Sequence, residues 1–161
     1  MANPQTNTAH GTPGDVPVGT LEDGRYLFPV RVYYEDTDSG GVVYYANYFK
    51  FAERARTEMM RALGIESQQL MQDEGLALAV RHCEADFMKP ARLDDLLTVS
   101  TRVLGIGGAS VEVEQIITGS GTDLVRIALK LACMSLAGGP ARMPDGVRAT
   151  LERFFKNNQQ D

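Results

Sequence analysis

The spacing of apolar residues changes once along this chain, from intervals of three or four to intervals of two. Between about Ala46 and Leu63, one apolar stripe contains Phe49, Ala52, Ala55, Met59 and Leu63. This spacing predicts an amphipathic helix, with Gly64 at its C-terminal end. Arg54 and Glu58 are predicted to pair on its exposed side. Shorter helical pieces are predicted at 66–74 and 147–156.

Strand-like segments lie on both sides of the long helix. Residues 26–34 precede it, residues 78–88 follow it, and clear alternation continues at 97–103, 111–117 and 125–133. Glycine-rich segments at 105–108 and 119–123 predict hairpin connections, which make neighbouring strands antiparallel. One long helix on one antiparallel sheet is an α+β architecture. Because such a sheet has exposed edges, we expect it to pair with a second copy of the chain.

Length and composition limit the number of domains and the classes of partner. The 161 residues suit a single domain, which we expect at 25–161. Residues 1–24 are polar and lack the apolar stretch of a secretory signal, so they predict a flexible tail on an unexported, cytoplasmic protein. No run of about 18 apolar residues predicts a transmembrane segment. A net charge of −5 lacks the basic footprint of a nucleic-acid-binding protein.

The cysteines and histidines favour neither a metal site nor nucleophilic catalysis. Cys83 and Cys133 lack metal-type spacing and are predicted to be buried free thiols. His82 is the only histidine outside the tail, and neighbours in a strand face opposite ways, so a dyad of His82 with Cys83 is excluded. The chain contains no Gly-x-Ser-x-Gly motif. No metal or cofactor is therefore predicted.

The richest segment for chemistry lies just before the long helix. Glu35, Asp36 and Asp38 fall within four residues and are followed by Gly40 and Gly41. Acidic side chains cap turns and helix N-termini, which is one interpretation of the cluster. The other is a carboxylate beside backbone N–H groups that polarise a carbonyl oxygen, a minimal apparatus for acyl transfer. The residue pattern leaves both interpretations open.

The same segment resembles a known family. Val30-Arg-Val-Tyr-Tyr-Glu-Asp-Thr-Asp-Ser-Gly-Gly-Val-Val-Tyr-Tyr-Ala-Asn-Tyr48, followed by Phe51-Ala-Glu-Arg-Ala-Arg-Thr-Glu58, is similar to the YbgC-like branch of the 4-hydroxybenzoyl-CoA thioesterase family. The likeness covers roughly 26–136 and includes the segment 87–95. It implies a hotdog fold, in which an antiparallel sheet wraps around one long central helix. It also implies hydrolysis of acyl-CoA thioesters, and perhaps of acyl groups on acyl carrier protein, by a homodimer or homotetramer with the pocket between subunits.

The resemblance also assigns roles to particular residues. The family's catalytic carboxylate falls on Asp38, as nucleophile or as general base, and its oxyanion donor falls on the backbone N–H of Tyr45. Expected substrate contacts come from the loop and from nearby cations, namely Gly41, Val42, Asn47, Lys89 and Arg92. Many YbgC-like members have histidine in place of Tyr45, so a role for that side chain is not carried over.

Three further possibilities are left open by the sequence. Asn47 is equally suited to holding the loop by hydrogen bonds, and Glu53 lies where another hotdog branch has its catalytic carboxylate, although a solvated or Lys50-paired role is favoured. Arg81 and Arg102 are additional candidates for phosphate contacts. The alternative functions are a hotdog dehydratase, which needs a histidine–acid pair, and a non-catalytic module that binds acyl-CoA or an acyl carrier.

Overall fold

The computed structural model describes residues 19–159, which form one six-stranded sheet and three α-helices. The elements are β1 (Thr20–Glu22), β2 (Arg25–Arg31), α1 (Ala46–Ala62), α2 (Ser67–Glu74), β3 (Leu76–Phe87), β4 (Leu96–Ile106), β5 (Ser110–Gly119), β6 (Thr122–Ser135) and α3 (Asp145–Asn157). The strand order is β1-β2-β4-β5-β6-β3, and every neighbouring pair is antiparallel. The predicted α+β class is confirmed, and most predicted elements lie within a few residues of their observed bounds.

One face of the sheet, here called the inner face, packs against α1. Strand register aligns one row of inward side chains across five strands, consisting of Phe28, Val99, Ile117, Val125 and Phe87. α1 lies across β2, β4 and β5 and buries Tyr48, Phe51, Ala52, Ala55, Met59 and Met60. The predicted stripe is therefore displaced, because Phe49 and Leu63 are only half-buried. Phe49 points toward β3, where its ring meets that of Phe87.

The chain enters the fold earlier than the predicted boundary at Arg25. Residues 1–18 of the predicted tail lie outside the described residues, but Thr20–Glu22 pair with β2. The connection is Asp23-Gly24, with φ of 48° and 68°, the conformation that a two-residue hairpin turn requires. An Asp-Gly pair is a strong hairpin signal, so the polar composition of this segment concealed a strand.

The segment predicted as one strand at 26–34 divides into two parts. β2 ends at Arg31, and Tyr34–Asp36 form a short 3₁₀ turn. The carboxylate of Asp36 accepts the backbone N–H of Tyr33 at 2.8 Å, which closes this turn. The predicted pair of Arg54 with Glu58 is also replaced, because Glu58 pairs with Arg61 one turn further along α1.

β3 is an edge strand whose inner face α1 leaves uncovered. Val80 is 49% exposed and Phe87 is 47% exposed. Cys83 faces the same side and is also exposed, so the prediction of a buried Cys83 is wrong, whereas Cys133 is buried as predicted. His82 lies on the outer face, 3.1 Å from the carboxylate of Glu84. The two neighbours do point apart, as the strand period requires.

A buried polar cluster ties α1 to the middle of the sheet. Gln115, on β5, is fully buried, and its amide nitrogen donates to the carbonyl oxygen of Ala52 at 2.8 Å and to the hydroxyl of Thr101 at 2.9 Å. Its amide oxygen accepts from the guanidinium of Arg56 at 2.8 Å. Burial lowers the pKa of Arg56, and Glu53 opposes that effect. Because every polar atom of Gln115 has a partner, the cluster fixes α1 over the sheet without an unpaired buried group.

Candidate active site

The acidic segment forms a tight loop that leads into α1. Thr37 bridges Val43 in antiparallel fashion, and the N–H of Asp38 donates to the carbonyl of Val42 at 2.9 Å. Gly41, with φ of 77°, makes the reversal between them, in a conformation that costs a residue with a side chain about 1–2 kcal/mol. This geometry puts Asp38 at the tip of the loop, opposite Val42 and three positions before Tyr45.

The three carboxylates of the segment have different environments. Asp36 is buried and structural, since its carboxylate closes the 3₁₀ turn. Glu35 is exposed on that turn. Asp38 is exposed, and one of its oxygens accepts the N–H of Gly40 at 2.8 Å. The other oxygen of Asp38 has no hydrogen-bond partner among residues 19–159. No side chain caps α1 at Tyr45, so the capping interpretation does not explain Asp38.

Asn47 holds the loop against the start of the helix. Its side-chain amide donates to the carbonyl oxygen of Asp36 at 2.8 Å, and the N–H of Tyr44 donates to the same oxygen at 2.9 Å. This arrangement fits the loop-holding role for Asn47, since its amide is occupied within the protein. A direct contact of Asn47 with substrate stays a prediction.

Tyr45 is the residue from which α1 starts, and its backbone is already helical, with φ of −55° and ψ of −33°. Its N–H donates to no acceptor within the described part of the chain. Free N–H groups at a helix start carry partial positive charge and bind anionic oxygens. The Tyr45 side chain is 56% exposed, and its ring packs edge-on against Tyr44 and Phe87, with centroid distances of 5.0 Å and 6.0 Å.

A segment distant in sequence forms the floor beneath this loop. Ala91 is fully buried in the β3–β4 connection, and its carbonyl accepts the N–H of Val43 at 2.9 Å. The N–H of Ala91 donates to the hydroxyl of Tyr48 at 2.9 Å. Burial raises the pKa of Tyr48, which keeps the phenol neutral. Sequence reasoning missed Tyr48 and Ala91, because 43 residues separate them and neither has chemistry of its own.

The same connection brings Lys89 and Arg92 beside the loop. Arg92 bridges Val42 through the backbone, and both cationic side chains are exposed. The other phosphate candidates lie elsewhere. Arg102 pairs with Glu114 at 2.8 Å on the outer face, and Arg81 is exposed at the irregularity in the β3–β6 pairing. Glu53 is exposed on α1, with no cation within 4.0 Å in residues 19–159.

The described residues contain no group of three or more His, Cys, Asp or Glu side chains placed to hold a metal ion.

Within 19–159, no helix combines the length and apolar character needed to cross a membrane.

A sheet wrapped around one helix, with an exposed carboxylate near a free N–H at the start of that helix, defines the hotdog class of thioesterase folds. A solved structure, a probable thioesterase from Bartonella henselae, superposes with a TM-score of 0.72 at 40% identity, covering 74% of this chain and 99% of that chain. The family model described as Thioesterase superfamily matches residues 40–125. The chain belongs to this superfamily, as the resemblance predicted.

Curated relatives agree with the branch suggested by the sequence. The acyl-CoA thioesterase YbgC of Haemophilus influenzae is 44% identical over 133 residues, which cover 82% of this chain and 98% of the relative. The acyl-CoA thioester hydrolase YbgC of Shigella flexneri is 40% identical over 130 residues, covering 80% of this chain and 96% of the relative. The predicted likeness to YbgC-type enzymes is therefore confirmed.

Proposed function

We propose that this protein hydrolyses acyl-CoA thioesters, with Asp38 as the catalytic carboxylate and the Tyr45 N–H as the oxyanion donor. The observation that carries the proposal is the pairing of an exposed carboxylate oxygen on Asp38 with an unbonded N–H at the start of α1, in a chain 44% identical to an acyl-CoA thioesterase. Water supplies the new oxygen on the acyl carbon, the carbon–sulfur bond breaks, and CoA leaves as its thiol.

Tyr45 contributes through its backbone. As the carbonyl carbon becomes tetrahedral, its oxygen gains negative charge, which the free N–H and the helix dipole stabilise. Removal of one such donor typically costs about 2.7–4 kcal/mol in the barrier. This role needs no particular side chain, so it is compatible with tyrosine where many relatives have histidine.

The test of Asp38 is the release of free CoA, followed with a thiol reagent. We expect Asp38→Asn to lower kcat at least about a hundredfold, the scale of a positioned acid–base group. Glu35→Gln is the matched control, since Glu35 is an exposed carboxylate of the same segment, and should keep wild-type activity. An Asp38→Asn variant as active as wild type would sink the assignment.

Two roles for Asp38 are chemically complete and separable by isotope labelling. As a nucleophile, its free oxygen attacks the acyl carbon and forms a mixed anhydride, which water then opens. As a general base, it takes a proton from the attacking water. A single turnover in ¹⁸O-water labels the product acid directly in the second case. In the first case, water attacking the Asp38 carboxyl carbon puts the label on Asp38, and the first product carries an enzyme oxygen.

We further propose that Lys89 and Arg92 contact the phosphates of CoA, while Gly41 and Val42 let the backbone approach the substrate. The support is their position, since Arg92 bridges Val42 beside the loop. Lys89→Ala and Arg92→Ala should raise KM for acyl-CoA but leave KM for acyl-pantetheine, which lacks the nucleotide, unchanged. Arg102→Ala, on the outer face, is the control. An equal effect on both substrates would contradict the phosphate role.

The edge strand β3 supports a homodimer as the working form. β3 spans 12 residues and pairs within the chain only with β6, so its other edge is open to a second copy. Light scattering should give a mass twice that of one chain, or four times for a tetramer, and a monomer at assay concentration would contradict this. Activity in the cytoplasm, and action on acyl groups carried by acyl carrier protein, are part of the same proposal. The latter is tested by assay of acyl carrier protein thioesters.

The dehydratase alternative lacks a suitable histidine. Among residues 19–159, His82 is the only one, and it lies exposed on the outer face beside Glu84. The binding-module alternative predicts tight binding of acyl-CoA without release of free CoA, which the Asp38 assay also detects.

A further inference from the structure

We propose that Phe87 is a specificity-determining residue, whose ring stops the acyl chain close to the thioester carbonyl and so limits chain length. This rests on the proposed function of the Asp38 loop. Phe87 is the last residue of β3 and is 47% exposed on the inner face. Its ring meets the helix start edge-on at Tyr45, with centroids 6.0 Å apart, and contacts Tyr48 at 5.9 Å.

The space behind Phe87 is lined by small side chains. Ala85 and Cys83 follow on the same face of β3, because their partners Ile127 and Leu129 are buried on the inner face of β6. α1 lies over β2, β4 and β5, so this part of β3 is uncovered. A passage between α1 and β3 therefore leads away from the Tyr45 N–H, with one bulky ring at its entrance.

The passage ends in a pocket large enough for an alkyl chain. The pocket has a volume of about 410 Å³, within the range of small-molecule sites, and lies between α1, α2 and β3. Met60, Leu70, Leu78 and Val80 supply most of its apolar wall. Glu53, at the near side of this pocket, is eight residues along α1 from Tyr45, a distance of about 12 Å. A chain held at the carbonyl by its first few carbons does not reach this pocket while Phe87 blocks the entrance.

The physical consequence is a preference for short or flat acyl groups in the wild-type protein. Such groups pack against the edges of the Phe87 and Tyr45 rings, whereas a longer chain must displace a ring that already contacts Tyr45, Tyr48 and Phe49. Trimming the ring removes this obstruction and opens the apolar pocket to the chain.

The experiment compares kcat/KM for decanoyl-CoA and butyryl-CoA across Phe87→Trp, wild type, Phe87→Leu and Phe87→Ala. The ratio of decanoyl to butyryl should rise along this series, by at least about tenfold between wild type and Phe87→Ala. Phe28→Ala is the matched control. Phe28 is in the same row of the sheet but on β2, on the other side of α1, so its removal should leave the ratio within about twofold.

Binding of S-decyl-CoA and S-butyl-CoA, thioethers that cannot be hydrolysed, separates failure of this inference from failure of the proposed reaction. Phe87→Ala should tighten S-decyl-CoA about tenfold and leave S-butyl-CoA nearly unchanged. A ratio that does not respond in Phe87→Leu and Phe87→Ala, in either measurement, overturns the role of Phe87 while leaving hydrolysis intact. If no variant releases CoA but the thioether ratio responds, the chain-length limit stands and the proposed hydrolysis is wrong.

Discussion

Replacement of Gln115 by leucine should destabilise the protein severely, because this one side chain serves three partners in the buried polar cluster. Gln115 donates to Ala52 and Thr101 and accepts from the cationic Arg56. Two neutral hydrogen bonds contribute about 1 kcal/mol each, and one to a charged group contributes about 1.5–3 kcal/mol. The added apolar surface of leucine returns about 1 kcal/mol. The expected net loss is about 3 kcal/mol, a large share of the stability of a typical domain.

The assay is urea unfolding followed by circular dichroism, at one fixed protein concentration because an oligomer's stability depends on it. Gln68→Leu is the control, since Gln68 is exposed on α2, and should change stability by less than about 0.5 kcal/mol. A loss below about 1 kcal/mol for Gln115→Leu, at an unchanged slope with urea, would refute the reasoning.

A double variant tests the cause of that loss. In Gln115→Leu, the guanidinium of Arg56 is left without its buried acceptor, which is costlier than losing both partners. Arg56→Met combined with Gln115→Leu should therefore be less destabilised than the sum of the two single changes, by about 1–3 kcal/mol. Additive single losses would show that Gln115 acts on Ala52 and Thr101 alone.

Three further predictions concern the loop and its surroundings. Tyr48→Phe removes the acceptor for the Ala91 N–H and should cost about 1–2 kcal/mol in urea unfolding, whereas Tyr34→Phe, at a side chain 83% exposed, should cost nothing measurable. Gly41→Ala should cost about 1–2 kcal/mol and lower kcat/KM, because its φ is 77°; Gly108→Ala, with open space around the added methyl, should do neither, and equal effects would contradict the strain. Burial raises the pKa of the Cys83 thiol, while Arg56 opposes this, so less thiolate is present at neutral pH than in an ordinary thiol; alkylation should need higher pH than for a model thiol, and still higher pH in Arg56→Met.

The elements of the fold were predictable because their signals are local. Alternation at 97–103 and 111–117 already put Thr101 and Gln115 at inward positions, and both prove fully buried. Local signals were also present where prediction failed, as at Asp23-Gly24, where a polar composition outweighed a hairpin turn. The displacement of Phe49 and the exposure of Cys83 were not predictable, because they depend on which strands α1 covers.

The site divides in the same way. The segment that contains Asp38 and Tyr45 is continuous in sequence, so family resemblance could locate it. Its supports come from 40 or more residues away, through Tyr48 on Ala91 and through the bridge of Val42 to Arg92. Phe87 drew no attention as a lone aromatic at a strand end, since only the register with β6 puts it opposite the helix start.

The different environments of Asp36 and Asp38 make the test of catalysis interpretable. Asn has nearly the same shape as Asp, and in Asp38→Asn the side-chain oxygen can still accept the Gly40 N–H, so the loop should keep its form. Asp36→Asn instead weakens a buried charge-assisted bond to Tyr33 and should disturb the carbonyl that Tyr44 and Asn47 share. A loss of activity with unchanged stability at Asp38, beside a loss of both at Asp36, would therefore separate a chemical role from a structural one within three residues of the same loop.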